Sequence, residues 1–234
     1  MIKFMIISFP RTGTAFTYKV LKEHYNLYGL YEPFNKDYPE FALRGNCLTH
    51  DVIGEINHDY YKLPKELLER IYENAKTWMH EWVWNLYPDI EVGGSYLRIL
   101  REIDRLDGNW LIKDVYIWIH LKEICERFKH CKVIALKRPV EEVYNSYMGW
   151  WDKTDKYAMG KQITNAFMIS VFFRKIFDYF PYNELTKETF KDMLKKVYAE
   201  YIEVIDNCLQ YDNFILIEFK GKLSEKDILD KVKW

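Results

Sequence analysis

The stretch from Lys3 to Tyr25, KFMIISFPRTGTAFTYKVLKEHY, decides how the rest of the chain is read. Phe4-Met5-Ile6-Ile7 is a short apolar run of the kind that forms a strand buried on both faces of a parallel sheet. Pro10 and Gly13 interrupt it, and from Thr14 the spacing turns helical, with Val20 and Leu21 on the following turns. The pattern predicts a helix over residues 14–25, ended by Asn26 and Gly29. A strand, a tight glycine loop and a helix N-terminus together make an anion site. The first N–H groups of a helix lack internal partners, and the helix dipole adds partial positive charge there. Thr14 can add a hydroxyl and Arg11 a forked cation. The nucleotide P-loop pattern GxxxxGK[ST] is not met, since no Gly stands five before Gly13 and no Lys follows it.

The chain of 234 residues is most simply one domain, 1–234, and a hydrophobic content of 49% supplies a sizeable core. A net charge of −1 carries no basic field, so no nucleic-acid partner is expected. Cys47, Cys125, Cys131 and Cys208 lack CxxC spacing, and the six His show no HxxxH or HExxH pair. Reduced thiols and no metal site are the expectation. No apolar run approaches the roughly 18 residues of a membrane span. The N-terminus leaves no room for a signal peptide before the anion loop, and the expected location is cytoplasmic.

A second junction of the same kind lies far along the chain. Lys132–Leu136 reads as a buried strand, followed by Lys137-Arg138-Pro139 and a helix carrying Glu141, Glu142 and Ser146. Pro139 suits the first helical position, and the two Glu favour a helix N-terminus. An Arg at a strand end with a hydroxyl on the next helix can bind a phosphate dianion. Together the two junctions resemble those of the sulfotransferases. Pro10-Arg11-Thr12-Gly13-Thr14 match five positions of the 5′-phosphosulfate loop P-[KR]-[ST]-G-[TS]-[TS], and Ala15 departs from the sixth. Arg138 and Ser146, eight residues apart, resemble the 3′-phosphate motif, with Pro directly after the Arg as a one-residue shift.

The resemblance covers residues 3–35, 110–151 and a strand-like run at 214–219 before a C-terminal helix from Ser224. It implies an α/β domain of the P-loop nucleotide-kinase-like sulfotransferase fold, with four or five mostly parallel strands flanked by helices. It also implies transfer of the sulfuryl group from 3′-phosphoadenosine 5′-phosphosulfate (PAPS) to a hydroxyl or amine of a small-molecule or carbohydrate acceptor. The product nucleotide is 3′,5′-adenosine bisphosphate (PAP), and no metal is required. The donor contacts implied are Arg11, Thr12, Gly13, Thr14, Ala15, Phe16, Arg138 and Ser146, where Phe16 either stacks on adenine or packs in the core. Lys220-Gly221-Lys222 is a faint echo of a further donor loop. The alternatives are a metal-dependent kinase of the same fold using Asp114, and an inactive PAPS- or PAP-binding protein, which Ala15 permits.

For the general base, Glu32 in Glu32-Pro33-Phe34-Asn35 follows a predicted second strand at 27–31 and resembles the base of non-cytosolic-type relatives. A turn-capping Glu is the competing reading. Thr49-His50 resembles the KTH segment of cytosolic sulfotransferases without its Lys, and neither His50 nor His58 has a predicted strand to aim it. Lys113-Asp114 ends a predicted strand at 110–114 and resembles a substrate-side "KD". Lys113 beside Asp114 should keep that carboxylate ionised and weakly basic. Long helical patterns are expected from Pro64 through Trp82, at 96–106 capped by Ser95 after a Gly93-Gly94 break, at 117–129, at 159–180 and at 186–209. Trp78, Trp82 and Trp84 form either a core stripe or a substrate wall, and Trp150-Trp151 either face an acceptor or pack a helix end. The order 110–114, helix, 132–136 predicts two neighbouring parallel strands.

Overall fold

The computed structural model describes residues 1–35, 37–56, 58–84, 93–115, 117–151 and 186–233, with side chains left aside at 77–84, 93–95, 150 and 151. The expected helix at 159–180, the Trp78–Trp82–Trp84 stripe and the Trp150-Trp151 pair therefore lie outside what is described.

A five-stranded, all-parallel sheet forms the frame, built from β1 (Ile2–Ile7), β2 (Tyr28–Tyr31), β5 (Trp110–Asp114), β6 (Lys132–Lys137) and β7 (Phe214–Glu218). Its strand order is β2-β5-β1-β6-β7. The run at 110–114 and the run at 132–136 are both strands, but they are not neighbours, because β1 lies between them and pairs with each. The expectation of an adjacent pair fails for a physical reason. β1 is apolar on both faces and takes the centre, where neither face nor edge meets water. A two-stranded hairpin, β3 (Thr49–His50) with β4 (Gly54–Glu55), stands apart from this sheet.

Alternate residues of β1 feed two cores. Ile2, Met5 and Ile7 face one, and Phe4 and Ile6 face the other. The first core is covered by α2 (Asp37–Leu43), α3 (Lys65–Trp84), α4 (Gly93–Asp104), α5 (Leu121–Arg127), α6 (Val140–Trp151) and α7 (Lys187–Cys208). The second is covered by α1 (Thr14–His24) and α8 (Glu225–Lys231). Helices on both faces of a parallel sheet define an α/β fold. Among the described residues no helix is long and apolar enough to cross a membrane.

Two expected punctuation marks moved. Gly29 does not end α1, which stops at His24 with Tyr25 as cap; it lies inside β2. A side chain there would meet the Tyr18 hydroxyl, 2.0 Å from the place of a Cβ, so close packing of α1 on β2 requires glycine. α4 begins at Gly93, ahead of the expected Ser95 cap. Its buried face of Tyr96, Leu97, Ile99, Leu100 and Ile103 outweighs the roughly 1 kcal/mol that each helical glycine costs. The expected helix at 117–129 is a 3₁₀ turn, Trp118–His120, running into α5.

Candidate functional site

The chain leaves β1 toward α1 on one face of the sheet and leaves β6 toward α6 on the other. Neighbouring strands whose connections depart to opposite faces open a crevice at their carboxyl ends, and ligands of α/β sheets bind at such a point. The loop after β1 and the loop after β6 form its two walls.

The β1 wall is built from hydroxyl contacts. Ser8 is fully buried, and its Oγ accepts the Leu136 N–H at 3.0 Å and lies 2.6 Å from the Tyr201 hydroxyl. The Thr12 hydroxyl donates to the Phe9 carbonyl at 2.6 Å and lies 3.0 Å from Ser8 Oγ, so its side chain shapes the loop. Arg11 (φ 66) and Gly13 (φ 88) both adopt left-handed backbone. For Arg11 this costs roughly 1–2 kcal/mol. It turns the guanidinium onto α6, where Nε donates to Ser146 Oγ at 3.1 Å and a terminal nitrogen lies 3.5 Å from the Ser146 carbonyl. At Gly13 a Cβ would meet Phe219 Cζ at 3.2 Å and Leu223 Cδ2 at 3.3 Å, so the segment after β7 rests on the loop.

The start of α1 has no side-chain cap and no acidic residue in its first turn, whereas Thr186 and Ser224 form capping boxes on α7 and α8. Its donors are thus available to an anion of another molecule. Thr14 is buried in that first turn. Ala15 and Phe16 pack against the core under α1 and α8. Thr17 does not replace the hydroxyl missing at Ala15, because its Oγ1 donates to the Gly13 carbonyl at 3.1 Å.

The β6 wall is held by α7. The Arg138 N–H donates to the Tyr198 hydroxyl at 3.0 Å, and that hydroxyl donates to the Arg138 carbonyl at 2.6 Å. Tyr201 donates to the Leu136 carbonyl at 2.8 Å. The Arg138 side chain donates from Nε to Glu142 at 2.9 Å and lies 5.7 Å from the Phe219 ring centre. Ser146 is therefore hydrogen-bonded to Arg11, and Arg138 to Glu142. Arg11 has its pKa lowered by burial first, with Arg138 adding to the effect and Tyr147 and Tyr31 opposing it.

A second group of charged residues sits beside the loop, at the ends of β2 and β5. Glu32 (φ 51) donates its N–H to the Lys113 carbonyl at 2.6 Å and accepts the Asn35 N–H on its own carbonyl at 2.9 Å. Its carboxylate pairs with the Lys113 ammonium, and its other oxygen accepts from Asn35 Nδ2 at 3.2 Å. Lys113 also stands 4.0 Å from the Tyr31 ring centre. Burial alone would lower the pKa of Lys113, but Glu32 and then Tyr31 outweigh it, and the ammonium is held above the ordinary lysine value.

Asp114 is turned to the other face by strand alternation, is fully buried, and accepts the Phe34 N–H at 3.4 Å. The expectation that Lys113 restrains Asp114 is thus corrected: the carboxylate it restrains is Glu32.

His50 does have a strand. It lies in β3, half-buried, with its ring 5.8 Å from that of Tyr31. Its pKa is lowered by burial first and then by Lys113, so the ring is neutral near pH 7. Nδ1 accepts the Val52 N–H at 3.1 Å, which puts the ring proton on Nε2 and leaves that atom a donor. His58 is exposed, 3.5 Å from Glu55.

Sequence reasoning passed over Tyr198 and Tyr201, for which spacing on a long amphipathic helix offers no signal. It read Glu142 only as a helix-end charge, although its place four residues after Arg138 marks it as that residue's partner. Among the described residues no group of three or more His, Cys, Asp or Glu is arranged to hold a metal ion. The sequence matches no known protein-family model and none of the curated proteins.

Proposed function

We propose that this chain is a sulfotransferase that moves the sulfuryl group of PAPS to an acceptor hydroxyl or amine and releases PAP. The observation that carries the reading is the contact of Arg11 with Ser146, residues 135 apart, at the point where β1 and β6 part company. It brings two anion-suited strand–helix junctions into one crevice, as a donor with phosphates at both its 3′ and 5′ positions requires. The uncapped start of α1 fits the 5′-phosphosulfate, and Arg138 fits the second phosphate.

In this reading the N–H groups of residues 12–15, with Thr14, hold the 5′-phosphosulfate. As the acceptor oxygen bonds to sulfur, the bond from sulfur to the 5′-phosphate oxygen breaks. Arg11 lies where negative charge grows on that leaving oxygen. The acceptor proton passes to Glu32, the carboxylate at the same edge of the sheet; pairing with Lys113 keeps it ionised and only weakly basic, so the proton moves late, once bonding to sulfur has made the acceptor oxygen acidic. His50, whose ring proton is on Nε2, serves as a hydrogen-bond donor to the acceptor.

Thermal melting with added nucleotide tests the reading. PAP without metal should raise the melting temperature, and ATP with Mg²⁺ should not. The reverse result would assign the fold to a kinase. Turnover of PAPS with a panel of carbohydrate and small-molecule hydroxyl and amine acceptors then separates an enzyme from a binding protein.

A further inference from the structure

Glu142 stands on the first turn of α6, and N–H donors from two different segments converge on its carboxylate. Arg138 Nε donates to Oε2 at 2.9 Å, and the Gly221 N–H donates to Oε2 at 2.9 Å and Oε1 at 3.1 Å. Gly221 belongs to the exposed turn Lys220-Gly221-Lys222, whose flanking residues Phe219 and Leu223 rest on Gly13 of the anion loop. A guanidinium and a backbone N–H therefore converge beside the loop, the latter in a turn that also carries Lys220 and Lys222, and the group that both donors meet is the protein's own carboxylate. The Glu142 pKa is lowered, first by the bond from Arg138 and then by that from Gly221, so the group is a full anion at neutral pH.

We propose that Glu142 is an internal anion that occupies the second phosphate's place while the crevice is empty, and that a nucleotide carrying that phosphate displaces it. This rests on the donor reading given above. Donor geometry that suits a carboxylate also suits a phosphate oxygen, since both are charged acceptors of short N–H bonds. The two cannot share the donors, because like charges brought together repel. Glu142 thus sets the affinity of the crevice for the second phosphate. A nucleotide with only a 5′-phosphate binds with Glu142 in place, and one with both phosphates binds against it. The competition lowers the affinity for PAPS and PAP alike, so that product leaves readily while donor capture is weaker, and it keeps Arg138 and the 220–222 turn paired between turnovers.

Calorimetric titration of the full chain with PAP and with adenosine 5′-monophosphate, at one fixed low ionic strength, tests this. Glu142→Gln removes the charge with little change of shape, and Glu142→Ala removes the side chain beyond Cβ. Both variants should bind PAP roughly tenfold more tightly than wild type and the monophosphate with unchanged affinity. Weaker PAP binding by the variants would overturn the proposal and make Glu142 a strut that orients Arg138. Equal tightening of both nucleotides would also overturn it, since no selectivity would remain. If folded wild type and both variants bind neither nucleotide, the donor reading itself fails and this inference with it. A crystal structure of wild type with PAP gives a readout free of any variant. The Glu142 carboxylate should lie beyond hydrogen-bond reach of Arg138 Nε and Gly221 N, and an intact contact would refute displacement.

Discussion

Replacing Lys113 with Met tests the charged pair beside the loop, at the ends of β2 and β5. The Lys113 side chain is 2% exposed and that of its partner Glu32 is 9% exposed, so the pair is removed from water almost completely. Met matches the length of the lysine stem but leaves the Glu32 carboxylate with only the Asn35 amide among its contacts described above. Breaking a buried pair from one side costs about 3–5 kcal/mol, because the remaining charge is uncompensated. For a chain of this size about 2–4 °C of melting temperature is lost per kcal/mol, so Lys113→Met should melt about 6–20 °C lower. The double variant Lys113→Met/Glu32→Gln buries no charge and should recover more than half of that loss.

The same pair predicts a pH dependence. The folded-state pKa of Lys113 is raised, so its stabilisation is whole below the unfolded lysine value and disappears as pH climbs through the folded one. Wild type should therefore lose stability in alkali beyond the ordinary lysine range, in a step that the double variant lacks. Thermal melting followed by circular dichroism measures the first difference, and urea denaturation across the alkaline range measures the second. A single variant within 2 °C of wild type, a threshold set at roughly the effect of a surface ion pair, would refute the assignment of a desolvated pair.

Three predictions address the chemistry. Glu32→Gln, assayed below its melting temperature, should keep PAP affinity and lose roughly 10²–10⁴-fold in kcat, the span of a general base. His50→Asn, run in parallel, should lose far less, and the opposite ranking would move the base to His50. Arg11→Ala should reduce kcat more than PAPS affinity, with Arg11→Lys retaining part of the rate; normal turnover of the Ala variant would assign the loop to structure. Arg138→Ala should weaken PAP binding roughly 10- to 150-fold, from a charged hydrogen bond of about 1.5–3 kcal/mol, and leave adenosine 5′-phosphosulfate nearly unaffected. Titration calorimetry reads the difference, and equal losses for both nucleotides would count against Arg138 as the second-phosphate ligand.

Much of the fold was legible because its signals are local. Phe4–Ile7, 110–114, 132–136 and 214–219 are apolar runs that need no partner to be recognised, and each is a strand. Gly13 marks the loop because a left-handed turn with little room for a Cβ favours glycine. Ser224 and Thr186 announce their helices through hydroxyls placed to cap them. The same holds for the residues of the loop and of the Arg138 helix as candidates, since their type and position before a helix already suit an anion.

Assembly decided the rest. Strand order depends on which strand gains most from two buried faces and two partners, a comparison made across the whole sheet, and it set β1 between β5 and β6. Lys113 and Asp114 are adjacent in sequence but point to opposite faces, so the carboxylate that Lys113 meets is one 81 residues away. His50 owes its place near Tyr31 to a hairpin of two-residue strands, too short for any periodic pattern to show. The meetings of Arg11 with Ser146 and of Glu142 with Gly221 join segments 135 and 79 residues apart. Sequence by itself determined which residues are suited to anions and where strands and helices begin. Only the tertiary structure determined which of those residues share a crevice, because a side chain's partner is set by the packing of distant elements and not by its neighbours along the chain.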